Sequence, residues 1–187
     1  MRQAATPTVP STRLVATLSA VAMLALTGCL GGAGFLGLGS PSVTVENRAA
    51  TDYRVSVAVV HTDTPWRDVP IEIQYANGSV ERTTVAPERT AEDPRATYFV
   101  PENVTGFAVD GPATDHWNVS LGPSESASRN LSAWSPGDLV VVQWTRTDGT
   151  VARVKAVSCR RGLQSVERYL ADPRGGGGGE TSCTSLG

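Results

Sequence analysis

From Pro41 onward apolar side chains recur at every second position, and that period decides what the chain can fold into. "SVTVEN" sets Val43 and Val45 on one face, and "YRVSVAVV" sets Tyr53, Val55, Val57 and Val59 on one face, against Arg54 and Ser56. Such alternation marks a strand with one side in a core and the other in water; a helix would repeat near 3.6. In "PIEIQYANGSVERTTV", Ile71, Ile73 and Tyr75 alternate with Glu72 and Gln74, and Asn77-Gly78 supplies the positive φ angles of a two-residue hairpin turn. Shorter strands follow at "ATYFV", "GFAVD" and "HWNVSL". "DLVVVQW" is apolar on both faces, as a central strand is, and "VARVKAVSC" comes after the turn signal Asp148-Gly149. About seven to nine short strands, with turns roughly every 8–12 residues, predict an antiparallel β-sandwich.

Beyond Cys159 the period changes. "RRGLQSVERYLADP" places Leu163, Val166, Tyr169 and Leu170 at helical spacing with Pro173 as a stop, which predicts a short helix on an open end or edge of the sandwich. Gly175 to Gly179 then let the tail double back. The fold class is therefore all-β, a sandwich with a short C-terminal helix and tail. The phrase "VSLGPSESASRNLSAWSPGDLVVVQWTRTDGTVARVKAVSC" resembles the second half of Ig-like extracellular modules, in which an apolar strand, a Pro-Gly-Asp corner and a final hairpin end the sandwich.

The N-terminal segment tells where such a domain works. Arg2 and Arg13 precede an uncharged run from Leu14 to Leu38, inside which Leu26-Thr27-Gly28-Cys29 follows an apolar stretch. A basic start, a short apolar region and small residues before a cut are the layout of an export signal. Leu-Thr-Gly-Cys resembles the lipobox of prokaryotic lipoproteins. That resemblance implies a lipid on the Cys29 sulfur and cleavage before it, with at least two acyl chains, enough for stable anchoring. The rival is an uncleaved spanning helix, since about 20 apolar residues cross a bilayer. Against it stand Gly28, Gly31, Gly32, Gly34 and Gly37, each costing about 1 kcal/mol relative to Ala in a helix. A third possibility is plain secretion. Both membrane readings keep the arginine-bearing end in the cytoplasm and the bulk of the chain outside. The chain thus divides into an export signal (1–28), a lipid-anchored flexible linker (29–41), a β-sandwich (42–159) and a helix with a Gly-rich tail (160–187).

Two further features fit an exterior life. With Cys29 taken as the anchor, Cys159 and Cys183 remain as an even pair, which in an exported chain reads as a disulfide. Of the five asparagines, Asn77, Asn103, Asn118 and Asn130 begin N-x-Ser/Thr sequons and only Asn47 does not, which predicts N-glycosylation. Lys155 is the single lysine among 16 basic residues. Arginine-dominated, mildly acidic, sequon-bearing and lipobox-tethered together, the chain is similar in style to surface lipoproteins of halophilic archaea.

Charge and chemistry bound the function. Arg2 and Arg13 are the only two of 16 basic residues before Cys29, and none of the 18 acids lies there, so the remainder carries a net charge of −4. That argues against a nucleic-acid partner. His61 and His116 have no third ligand at metal spacing, and no Gly-x-Ser-x-Gly elbow or phosphate-cradling loop is present, so neither metal nor other cofactor is implied. A hydrolase would need one of these histidines beside an acid and a serine in space; Asp115 and His116, adjacent on a strand, would point to opposite faces. Binding candidates are Trp66 and Trp134 in loops, and the basic set Arg153, Lys155, Arg160 and Arg161, suited to an anionic glycan or lipid headgroups unless it only blunts an edge strand. The expectation is a non-enzymatic module on the extracellular side of the cell membrane, tethered by Cys29 and contacting another envelope protein or a glycan. The alternative is a solute- or glycan-binding accessory domain using its loop tryptophans.

Overall fold

The structure, a computed structural model, describes residues 40–66, 68–85, 95–98 and 102–184. The export signal and Cys29 lie outside the described residues. Among those described, every regular element is a strand. They are β1 (Ser42–Asn47), β2 (Tyr53–Val60), β3 (Pro70–Tyr75), β4 (Val80–Thr84), β5 (Arg95–Tyr98), β6 (Val104–Val109) and β7 (Ala113–Leu121). Then come β8 (Ser126–Asn130), β9 (Leu139–Arg146), β10 (Val151–Ser158), β11 (Leu163–Leu170), β12 (Gly177–Gly178) and β13 (Thr181–Cys183).

They form three sheets. The first runs β12-β11-β1-β8, with β13 also on β11; the central one runs β5-β10-β9-β2-β7; the third runs β4-β3-β6. Pairing is antiparallel except between β1 and β11, where Val43 lies opposite Val166 in a parallel register. The first and central sheets enclose one apolar cluster that includes Val43, Val45, Tyr53, Val55, Val57, Val140, Val142, Trp144, Val166 and Leu170. This is the expected Ig-like sandwich. A second cluster lies on the other side of the central sheet, where Val60, Leu139, Val141, Val154 and Ala156 meet Ile71, Ile73 and Val104 of the third sheet. The two-sided apolar run "LVVV" of β9 has its physical cause here, because Leu139 and Val141 feed the second cluster while Val140 and Val142 feed the first.

Local chemistry closes the hairpins. The Gly78 N–H donates to the Tyr75 carbonyl at 2.9 Å and the Tyr75 N–H to Ser79 at 2.9 Å. The loop is therefore three residues, Ala76 to Gly78, not the expected two, and only Gly78 takes a positive φ, +83°. The β9–β10 turn repeats the pattern, Gly149 donating to Arg146 and Arg146 to Thr150.

A larger expectation also fails. Residues 163–170 are a strand, β11, not a helix. Val166, Arg168 and Leu170 alternate inward, but a bulge against β13 between Leu163 and Ser165 shifts the register by one. The bulge produces the three-residue step from Leu163 to Val166 that mimics a helical repeat. The charged Arg168 at an inward position hides the rest of the alternation.

Candidate functional site

The basic set divides. β10 lies between β5 and β9 and every one of its residues is buried. Arg153 is 5% exposed and Lys155 7%. Both share the parity of Val157, which packs in the first cluster, so they point into the sandwich and neither an exposed basic face nor a charged edge strand exists here. The Arg153 guanidinium donates to the Gly175 carbonyl at 3.1 Å. Burial acts to lower its pKa, with Tyr169 and Asp172 acting against. Arg168 of β11, also buried, donates to the carbonyls of Glu167 and Glu180 and to the Thr181 hydroxyl. Arg160 and Arg161 remain exposed in the β10–β11 connection.

The loop tryptophans are half-buried plugs on different cores. Trp134 packs against the first cluster and Trp66 against the second, so the two do not share one stacking platform. The cysteines meet as expected: Cys159 and Cys183 form a disulfide with Cα atoms 5.7 Å apart, joining the end of β10 to β13.

The histidines sit in two separate settings. His61, at the end of β2, is hydrogen-bonded through Nδ1 to Asp138 Oδ1 at 2.7 Å, and the other Asp138 oxygen accepts from the Ser135 N–H at 2.8 Å. The Asp138 hydrogen bond, then its charge, raises the His61 pKa above 6.5. Asp138 is 2% exposed, so the couple pins the Ser135–Asp138 corner to the end of β2. Among the described residues no hydroxyl lies within hydrogen-bonding distance of the His61 ring. His116 Nε2 lies 3.2 Å from Ser56 Oγ on the outer face of the central sheet, while the Asn118 amide donates to His116 Nδ1 at 3.5 Å. Among the described residues no carboxylate is hydrogen-bonded to this ring, as a base that activates a serine requires. Asp115 faces the other way, as its parity requires, pairing with Arg129 at 3.0 Å. On the outer face of the first sheet Thr44, Glu46, Arg48, Glu167, Tyr169 and Glu180 line a shallow groove. Arg48 occupies it, 4.0 Å above the Tyr169 ring and 2.7 Å from Glu46, whose pKa it lowers by hydrogen bonding.

The asparagines show the sharpest division. Asn77, Asn103, Asn118 and Asn130 are all exposed. Asn47, which begins no sequon, is 0% exposed. Its amide donates to the carbonyls of Thr51, Leu121 and Gly122, and its oxygen accepts from the Ala49 N–H. Sequence reasoning left Asn47 without a role, although its place at the end of an alternating strand and before a turn is where side-chain amides bond backbone.

Compared with known proteins, residues 9–187 match the family described as Halobacterial Ig domain protein. No curated protein and no solved structure matches the chain.

Proposed function

The chain belongs to the halobacterial Ig domain family, and from that premise we propose that it is a non-catalytic module of the cell envelope, exported and held to the membrane by a lipid on Cys29. The observation that carries the exterior placement is the Cys159–Cys183 disulfide. Such bonds persist outside the reducing cytoplasm. The exposure of all four sequon asparagines, beside the burial of the one asparagine without a sequon, adds support for N-glycosylation. The family match begins at residue 9, so the uncharged run and Cys29 belong to the matched region together with the sandwich, which supports anchorage as part of the same unit.

On this reading the sandwich is a spacer or contact surface whose partner is another envelope protein. Arg160 and Arg161, exposed beside the disulfide, are what remains of the basic set for an anionic glycan or headgroup. Val80, at 51%, is the exposed large apolar residue among those described. A contact made through the described residues is thus largely polar.

The test is protease treatment of intact cells with the wild-type chain and Cys29→Ser. Expected are peptides from 40–187 released from wild-type cells, and the Cys29→Ser chain shed to the medium or left unprocessed. Full protease resistance on intact cells would overturn the exterior placement. Unchanged membrane retention of Cys29→Ser, with an uncleaved N-terminus, would replace the lipid by a spanning helix.

A further inference from the structure

Among the described residues, no strand covers one flank of the sandwich. β7 ends the central sheet and β8 ends the first sheet. Arg129 of β8 reaches Asp115 of β7 at 3.0 Å, and the Asp115 carboxylate also accepts from the N–H and hydroxyl of Ser132, both at 3.2 Å. β7 spans nine residues, and its Thr114, His116, Asn118 and Ser120 are exposed. A long edge strand offers unpaired N–H and C=O groups to any incoming strand, and folded proteins block such edges. Here one device is visible: the Arg129 guanidinium caps the His116 carbonyl at 3.1 Å. At the other end of the first sheet the edge consists of the short β12 and β13, and Cys183 of β13 is held by the disulfide.

Two of the four sequons sit on this flank, one on each strand. Trp117, Val119 and Leu121 of β7 pack on the first cluster, so Asn118 points off the outer face of the central sheet. Ala127 of β8 packs on the same cluster, so Asn130 points off the outer face of the first sheet. Asn130 adjoins Arg129, which touches His116, two residues and about 7 Å of strand from Asn118. The two asparagines therefore straddle the flank from opposite sides at nearly one level. Both asparagines are exposed outside the core, the Asn118 amide meeting the His116 ring at a long 3.5 Å, so both amides are accessible to modification. Asn77 and Asn103 lie elsewhere, at one end of the third sheet, where the Ala76 N–H donates to the Asn103 carbonyl at 2.7 Å.

We propose that N-linked glycans on Asn118 and Asn130 close this flank and prevent β7 from pairing edge to edge with a second copy of the chain. The inference rests on the exported reading above. In the modification each asparagine Nδ2 forms a bond to the anomeric carbon of an oligosaccharide carried on a lipid phosphate. The sugar–phosphate bond breaks, the lipid phosphate leaves, and the amide loses one proton to the solvent. An incoming strand would have to pass between two hydrated glycans, one above and one below the edge.

The test uses the full chain expressed in a halophilic archaeal host with its own glycosylation and extracted in mild detergent. Glycopeptide mass spectrometry reads occupancy, light scattering reads assembly, and amide exchange reads β7. Expected are occupied Asn118 and Asn130 in a monomeric wild type. Asn118→Gln with Asn130→Gln should raise the oligomeric fraction at least tenfold and slow β7 exchange, while Asn77→Gln with Asn103→Gln stays monomeric. Ser120→Ala with Asn130→Asp removes the same two sequons by other chemistry and should give the same shift. Empty sites in the wild type, or monomers with unchanged β7 exchange in both flank variants, would overturn the proposal. A chain that is protease-accessible on cells yet carries no sugar at either site defeats this inference and spares the exterior placement; an inaccessible chain defeats the placement itself.

Discussion

Asn47 is satisfied on both sides of its amide within the protein, and its partners come from two distant parts of the chain. Thr51 and Ala49 belong to the β1–β2 turn, while Leu121 and Gly122 belong to the end of β7. The side chain thus ties the β1–β2 turn to the end of the central sheet's edge strand. Asn47→Ala leaves buried carbonyls without their donor, at about 1–3 kcal/mol for desolvated groups, and the summed expectation is about 3 kcal/mol. Urea unfolding should show it as a lower midpoint at unchanged slope; a loss under about 1 kcal/mol would mean that water replaces the amide. The legibility of these residues follows from their surroundings. The exposure of the sequon asparagines agrees with their turn and polar contexts, whereas the burial of Asn47 needs Leu121, 74 residues away, to be understood. Arg153 and Lys155 mislead for a similar reason. Their alternation marks a common face correctly, but neither face of β10 meets water, because the strand is covered on both sides by distant parts of the chain.

At the scale of elements, the strands most easily read are those whose inward residues are branched and apolar. β2, β3 and β9 declare themselves through Val55, Val57, Ile71, Ile73 and the run at 139–142. β8 does not, because its inward residues are Ala127 and the half-buried Arg129, which carries a charge into the Asp115 pair. β11 is misread through a bulge and Arg168 together. The third layer is half legible: the hairpin of β3 and β4 is plain, but its docking site is not, since any sheet face could receive it. The double-sided character of β9 supplies the check. Val140 is 0% exposed and Val141 7%, on opposite faces. Val140→Ala and Val141→Ala should each cost about 2 kcal/mol, and the double variant about their sum, because the cavities open into separate clusters. A two-layer sandwich would leave Val141→Ala nearly neutral, so a loss below about 0.5 kcal/mol at that position would remove the third sheet from the native fold.

For the whole molecule, the tail after β11 acts as a closure. Ala171 and Asp172 donate to the Gly176 carbonyl, β12 and β13 pair back onto β11, and the disulfide holds β13 to the end of β10. Glycine is required along this path because the tail runs against other backbone: a Cβ at Gly177 would collide with the Tyr169 carbonyl and the Arg153 guanidinium, and Gly175 holds φ at +90°. The returning chain in turn presents the Gly175 and Glu180 carbonyls to Arg153 and Arg168, so two cations inside the fold depend on a segment outside its main strands. Cys159 and Cys183 are 24 apart in sequence, and closing a loop of that size is worth about 3.5 kcal/mol in the chain-entropy treatment. Cys159→Ser with Cys183→Ser should therefore lower stability by about that amount. Its larger consequence should be local: without the bridge, β12 and β13 open first, taking their acceptors from the buried arginines. Amide exchange should accelerate in β11 and the tail well before β2 and β9, and limited proteolysis should cut near Arg174. Gly177→Ala, with the disulfide intact, should open the same segment by steric conflict instead of lost constraint. If reduction loosens all three sheets together, the tail is an integral strand of the sandwich and the idea of a separate closure falls.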